Sequence, residues 1–206
     1  MMEAAMKLVI GTRKWSTWSL RPWLVLKRAD VAFDEVLVTL RETGTAEALK
    51  PYSASSQCPV LIDGDLTVWD SLAICEYLGE QDPARWPADP KARAVARSVC
   101  AQIHSGFQSL RGECSMDLSL APYTLELTPA TQGDVDKLVR VFEEVHGRYG
   151  AGGPFLLGQW SIADAFWTPV ATRFRTFGIQ APALAAYHEL LLAQPEFLEW
   201  ERLAVT

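Results

Sequence analysis

The stretch Gln57-Cys58-Pro59-Val60-Leu61-Ile62-Asp63-Gly64 and the pair Asp70-Ser71 combine residue types that can grip an extended, peptide-like molecule. Proline has no N–H, so Pro59 fits the head of a strand only where no ladder bond is needed. Cys58-Pro59 is a candidate for a cis bond, which would expose neighbouring backbone groups to a ligand. Val60 can then pair with the backbone of an added strand. Asp63-Gly64 is a tight turn leading into a short strand, Leu66-Thr67-Val68. Asp70-Ser71 opens a helix over 72–78. It sets a carboxylate, a hydroxyl and free backbone N–H groups at a terminus that favours anions. Ser71 is the candidate holder of a terminal carboxylate.

Positioning these groups requires a sheet with helices on its faces. Lys7 to Gly11 reads as a buried strand, and Thr12 to Ser19 as a polar, aromatic turn. Leu20 to Ala29 reads as a helix with Pro22 early enough to be tolerated. Val31 to Leu40 is β-branched and apolar, hence a second strand. Arg41 to Ser56 holds at most a short helix around 46–50. The order β-α-β-α-β-β-α over residues 1–80 predicts a small mixed sheet. Residues 81–90, with Pro83, Pro87 and Pro90, read as a stiff linker. Residues 91–206 read as all helical. Asp89-Pro90 starts a long amphipathic helix whose apolar residues recur from Ala92 to Leu110. Residues 112–127 are less regular. Further helices are expected around 135–149, from Ser161 with Asp164 completing a capping box, and over 183–193 and 196–203.

The chain has 206 residues, 49% of them apolar and 21% charged, and a net charge of −6. That balance suits a globular protein and argues against nucleic acid or an anionic membrane as partner. No apolar stretch is long enough to span a bilayer, and no secretory signal is evident. Four irregularly spaced cysteines, Cys58, Cys75, Cys100 and Cys114, point to free thiols in a reducing, cytoplasmic setting. Cys100 and His104 share a helix face. With no further Cys or His nearby to complete a ligand set, they read as a buried cysteine and a hydrogen-bonded histidine, and no metal is expected. Walker and dinucleotide fingerprints are absent.

Cys58-Pro59-Val60-Leu61, then Asp70-Ser71-Leu72-Ala73-Ile74, then Ser161-Ile162-Ala163-Asp164, resemble the glutathione transferase superfamily in order and spacing. The resemblance covers essentially the whole chain. Trp15-Ser16-Thr17-Trp18-Ser19-Leu20-Arg21 is similar to the Ser-Ser-Cys-x-x-Arg signature of zeta-type members, with Trp18 at the cysteine position. Arg111-Gly112-Glu113-Cys114-Ser115-Met116-Asp117 is similar to a bacterial zeta-like subgroup. The resemblance implies a thioredoxin-like N-terminal domain that binds glutathione as co-substrate. It also implies an all-α C-terminal domain shaping an electrophile pocket, and a homodimer.

The chemistry implied is attack by a glutathione thiolate on a small electrophile, by conjugation or isomerisation. A thiol of pKa about 8.5 is mostly protonated at neutral pH. Lowering it to about 6.5 takes roughly 2.7 kcal/mol of preferential thiolate stabilisation. A hydroxyl donor at a helix N-terminus supplies energy of that order. Ser16 matches the first serine of the signature, and Thr17 is the alternative. Either residue also has the ordinary role of capping the helix. By the resemblance, Ser71 takes the γ-glutamyl carboxylate, Asp70 its amino end, and Gln57, Cys58, Pro59 and Val60 the peptide, Cys58 through its backbone only. Arg13, Lys14, Arg41 and Lys50 are candidates for the glycine carboxylate. Trp15, Trp18, Phe107, Arg111, Met116 and Tyr123 are candidates for the electrophile pocket, and Arg21 for orienting the turn or an acidic substrate. Two other functions compete. A glutathione-dependent thiol oxidoreductase needs a cysteine at the start of the first helix. A non-catalytic glutathione-binding scaffold keeps the slot without turnover.

Overall fold

The computed structural model describes residues 6–205. Strand β1 (Met6–Gly11) runs through the middle of a four-stranded sheet ordered β2-β1-β3-β4. It pairs in parallel with β2 (Phe33–Val38), Met6 opposite Phe33, and antiparallel with β3 (Val60–Asp63), Val9 opposite Val60. β4 (Leu66–Val68) completes the hairpin, with Leu61 opposite Val68. Gly64 turns it at φ +60°, a conformation that a residue with a Cβ rarely takes. The β-α-β crossover is helix α1 (Thr17–Arg28), and a short α2 (Thr45–Leu49) lies between β2 and β3. Helix α3 (Ser71–Gln81) follows the hairpin. This is the thioredoxin-like arrangement read from the sequence.

Helices α4 to α9 complete the described chain: α4 (Pro90–Ser105), α5 (Gln108–Glu113), α6 (Pro129–Tyr149), α7 (Ile162–Thr176), α8 (Pro182–Leu192) and α9 (Pro195–Ala204). α7 is buried along nearly its whole length and packs on both α1 and α4. Its N-terminus has the expected capping box. Asp164 accepts from the Ser161 N–H at 2.8 Å and also from Leu156 N–H (3.1 Å) and Tyr187 O–H (2.8 Å). One continuous core, with Trp23, Trp167 and Trp200 fully enclosed, joins the sheet half to the helices.

Two expectations change. The helix expected to run from Asp89 through Leu110 stops at Ser105 and restarts at Gln108, with Phe107 in the left-handed region at φ +57°. The apolar spacing survives the break because α4 and α5 feed the same core. Helix α1 begins a turn earlier than Leu20, since the Ser16 hydroxyl caps it. Pro22 therefore stands in its second turn and gives the Trp18 carbonyl no i+4 donor.

Candidate functional site

The turn before α1 is held from several sides. Thr12 C=O accepts from Trp15 and Ser16 N–H, and Leu118 N–H donates to Lys14 C=O. Trp15 Nε1 donates to Asp117 at 2.9 Å. The turn thus presents Ser16 at the helix mouth. Its hydroxyl donates to Ser19 Oγ at 2.7 Å and accepts from Ser19 N–H at 3.3 Å. Ser19 Oγ in turn accepts from Gly11 N–H at 3.1 Å.

Ser16 opens onto a cleft of about 560 Å³. The same cleft is lined by Trp15, Trp18, Gln57, Cys58, Pro59, Asp70 and Ser71. Both peptide bonds that enter its key segments, Cys58-Pro59 and Trp69-Asp70, are cis, the first as expected from the sequence. Asp70 caps α3 through Leu72 N–H at 2.9 Å. Ser71, the first residue of α3, is 0% exposed and its hydroxyl has no partner among the described residues. Val60 is buried, with a ladder partner on β1; the β3–β4 ladder starts one residue later. Thr17 is buried at the first position of α1 and lies outside the cleft lining.

Of the four candidate cations, Arg41 lines the cleft and stacks on Trp15 at 4.5 Å. Arg13 pairs with Glu35, Lys50 pairs with Glu47, and Lys14 lies over the Trp15 ring. His104 also lines the cleft, its Nε2 3.2 Å from Asp70. Burial lowers its pKa, against the opposing pull of Asp70. Cys100, one turn back, points into the core instead. Sequence reasoning missed His104, Ser19 and the exposed Trp69. Only the i+4 spacing from Cys100 marked His104, and the cleft it faces is assembled by distant segments.

Phe107 and Arg111 lie elsewhere. With Arg21 and Arg173 they line a cavity of about 10 Å³. Trp18 stands between this cavity and the cleft, with Arg21 stacked on its ring at 4.4 Å and Arg111 at 4.6 Å. Arg21 is fully enclosed, and its Nε and Nη1 have no partner among the described residues; nor has Nε of Arg173. Burial, then the neighbouring Arg111 and Arg173, push the Arg21 pKa down to about 9. Burial and Arg111 bring Arg173 to about 10. Both stay cationic at neutral pH, and no carboxylate lines the cavity. Met116 packs in the core and reaches neither space, because the segment after α5 folds inward under the first turn. Tyr123 is exposed and packs edge-on against Phe177. Among the described residues no group of three or more His, Cys, Asp or Glu is placed to hold a metal ion, and no helix is long and apolar enough to cross a membrane.

Residues 15–81 match the family model of the glutathione S-transferase N-terminal domain. The maleylacetoacetate isomerase of Mus musculus is 36% identical over 196 residues, spanning 90% of this chain and 87% of that protein. The chain belongs to the glutathione transferase superfamily. Its zeta-like character is carried by that relative and by a zeta-class glutathione S-transferase of Euphorbia esula, 29% identical over 93% of this chain and 88% of that protein. A glutathione transferase homologue from Burkholderia, solved with bound glutathione, superposes with a TM-score of 0.73 at 26% identity, covering 97% of each chain. In this transferase the turn carrying Ser16 and the segment Gln57-Cys58-Pro59 that leads into β3 both line the cleft.

Proposed function

We propose that the cleft binds glutathione, that Ser16 stabilises its thiolate, and that the thiolate attacks a small electrophile bearing an anionic group, by conjugation or glutathione-assisted isomerisation. The observation that carries the reading is the Ser71 hydroxyl, enclosed and unpartnered at the N-terminus of α3 in a cleft that also holds Ser16. A buried hydroxyl costs stability unless it is hydrogen-bonded, so this one belongs to a ligand. In this reading Ser71 takes the γ-glutamyl carboxylate and Asp70 the amino group. The Val60 backbone pairs with the peptide beside Gln57, Cys58 and Pro59, and Arg41 meets the glycine carboxylate. Ser16 is favoured over Thr17 because it is the one that lines the cleft.

The electrophile's chemical class follows from Arg21, Arg111 and Arg173. Buried cations without carboxylate partners attract an anion strongly in a low-dielectric setting. Their own cavity, at about 10 Å³, takes no more than a water-sized group, so the arginines act on a carboxylate seated in the cleft through their field across Trp18. Trp15 and Trp18, which line the cleft, then flank the substrate's apolar part. Residues 1–80 act as the glutathione domain and 91–206 as the electrophile domain, with 81–90 as linker. The transferase works as a cytoplasmic homodimer; sedimentation at micromolar concentration that gives a monomer would refute the dimer.

The test is a pH titration of the thiolate absorbance of bound glutathione, with Ser16→Ala beside it. A bound thiol pKa well below about 8.5 that rises again in the variant supports the reading. Binding without any shift removes Ser16 from its role and favours a scaffold. Absence of binding overturns the assignment of Ser71 and the cleft together.

A further inference from the structure

Resting on the glutathione reading of the cleft, we propose that Cys58 is a redox modification site: glutathione disulfide seated in the cleft transfers one glutathionyl group to its sulfur, and the adduct blocks the cleft. Cys75, Cys100 and Cys114 are buried, whereas Cys58 is only partly so and lines the cleft. Its sulfur is held in one place. A Cβ built on Gly11 would stand 2.9 Å from it, so it packs over bare backbone at the end of β1. The Ser19 and Ser16 hydroxyls act on the same thiol. Ser16 is also the hydroxyl assigned to the glutathione sulfur. Ser16 and Cys58 line the same cleft, so a sulfur seated at Ser16 lies beside the Cys58 sulfur, which is the arrangement disulfide exchange requires. The ligand end of the cleft is marked independently by the enclosed, unpartnered Ser71 hydroxyl.

The exchange balances within the two reactants. The Cys58 thiolate attacks one sulfur of glutathione disulfide, a new S–S bond forms and the old one breaks. The second glutathione leaves as a thiolate and takes up the proton that Cys58 gave up. Cys58 is oxidised and the departing half is reduced. Excess reduced glutathione reverses the step by attacking the mixed disulfide. Burial raises the Cys58 thiol pKa while the Ser19 and Ser16 hydroxyls lower it, and the net direction is up. The thiolate is therefore a minor species at neutral pH, and exchange accelerates as pH rises.

Intact-mass spectrometry of the full chain incubated with glutathione disulfide is expected to gain one glutathionyl group, mapped to Cys58 after digestion, faster at alkaline pH. Cys58→Ser gains none. In the unsubstituted protein, S-hexylglutathione protects Cys58 at least about tenfold, the effect of roughly 1.4 kcal/mol of competing occupancy. Bis(2-hydroxyethyl) disulfide, which lacks the ends that Ser71 and Arg41 would hold, labels Cys58 more slowly than glutathione disulfide does. An adduct on another cysteine, an adduct persisting in Cys58→Ser, or equal labelling by both disulfides overturns the proposal. So does an absent adduct while calorimetry still detects reduced glutathione binding, and there the transferase reading survives. No adduct and no binding overturns both.

Discussion

Ser16 stands where a helix begins, and its hydroxyl answers two demands. It caps α1 through Ser19 N–H and spends its proton on Ser19 Oγ. A thiolate arriving in the cleft competes for that proton as the stronger acceptor. Hydrogen bonds to charged groups contribute about 1.5–3 kcal/mol. Ser16→Ala is therefore expected to lower kcat/KM for conjugation by about 10- to 100-fold, read from steady-state kinetics. Glutathione affinity should change little. Arg111 tests the other substrate. Arg111→Met is expected to raise KM about tenfold or more for a carboxylate-bearing electrophile and to leave KM for its neutral ester unchanged. Equal effects on both would detach the arginines from substrate choice. At this scale the sequence was readable where a side chain and its local backbone fix a helix start together, as at Ser16 and Asp70, which cap α1 and α3. It read His104 as a hydrogen-bonded histidine but not as a cleft residue, and it was silent on Arg173; the surroundings of both come from other segments.

Helix α7 shows what a short motif can specify. Ser161 and Asp164 announce a start, and the structure makes that start a junction: one carboxylate collects Ser161, Leu156 and Tyr187. Burial raises the Asp164 pKa, while these donors lower it. Asp164→Ala orphans four buried donors, the Ser161 hydroxyl included, and should cost about 3 kcal/mol or more of folding stability, measured as a lower denaturant midpoint. A change confined to activity, with the midpoint intact, would contradict this. The break between α4 and α5 shows the opposite case. Apolar spacing reports which face is buried, and it continued across Gly106 and Phe107 because both helices bury into one core. A Cβ on Gly106 would lie 2.7 Å from the Gln102 carbonyl, so that glycine was a signal in plain sight. Phe107 at positive φ has no signature in its own side chain.

Across the whole molecule, the period switch from strands to helices made the two halves legible, but not how they dock. Packing within the helical half depends on enclosed groups such as His188, which accepts from Trp167 Nε1 at 3.0 Å and is therefore neutral. Burial pushes its pKa down to about 3. The unfolded chain binds that proton near pH 6.5. The stabilisation is complete above pH about 6.5 and is lost as pH falls toward about 3. Acid unfolding should therefore steepen across that window, and His188→Gln should flatten it in a series of denaturant titrations. Helix α9 crosses the same divide. Trp200 Nε1 donates to the Arg13 carbonyl at 3.2 Å, its ring packs on Trp23, and Glu199 and Glu196 meet Lys27 and Arg28. The turn that presents Ser16 is thus braced by a helix made some 187 residues later. During synthesis the sheet half leaves the ribosome long before its brace. A nascent or truncated chain lacking α9 carries the residues of the site without its frame, so on the proposed reading thiol activation is expected to mature only once α9 has docked.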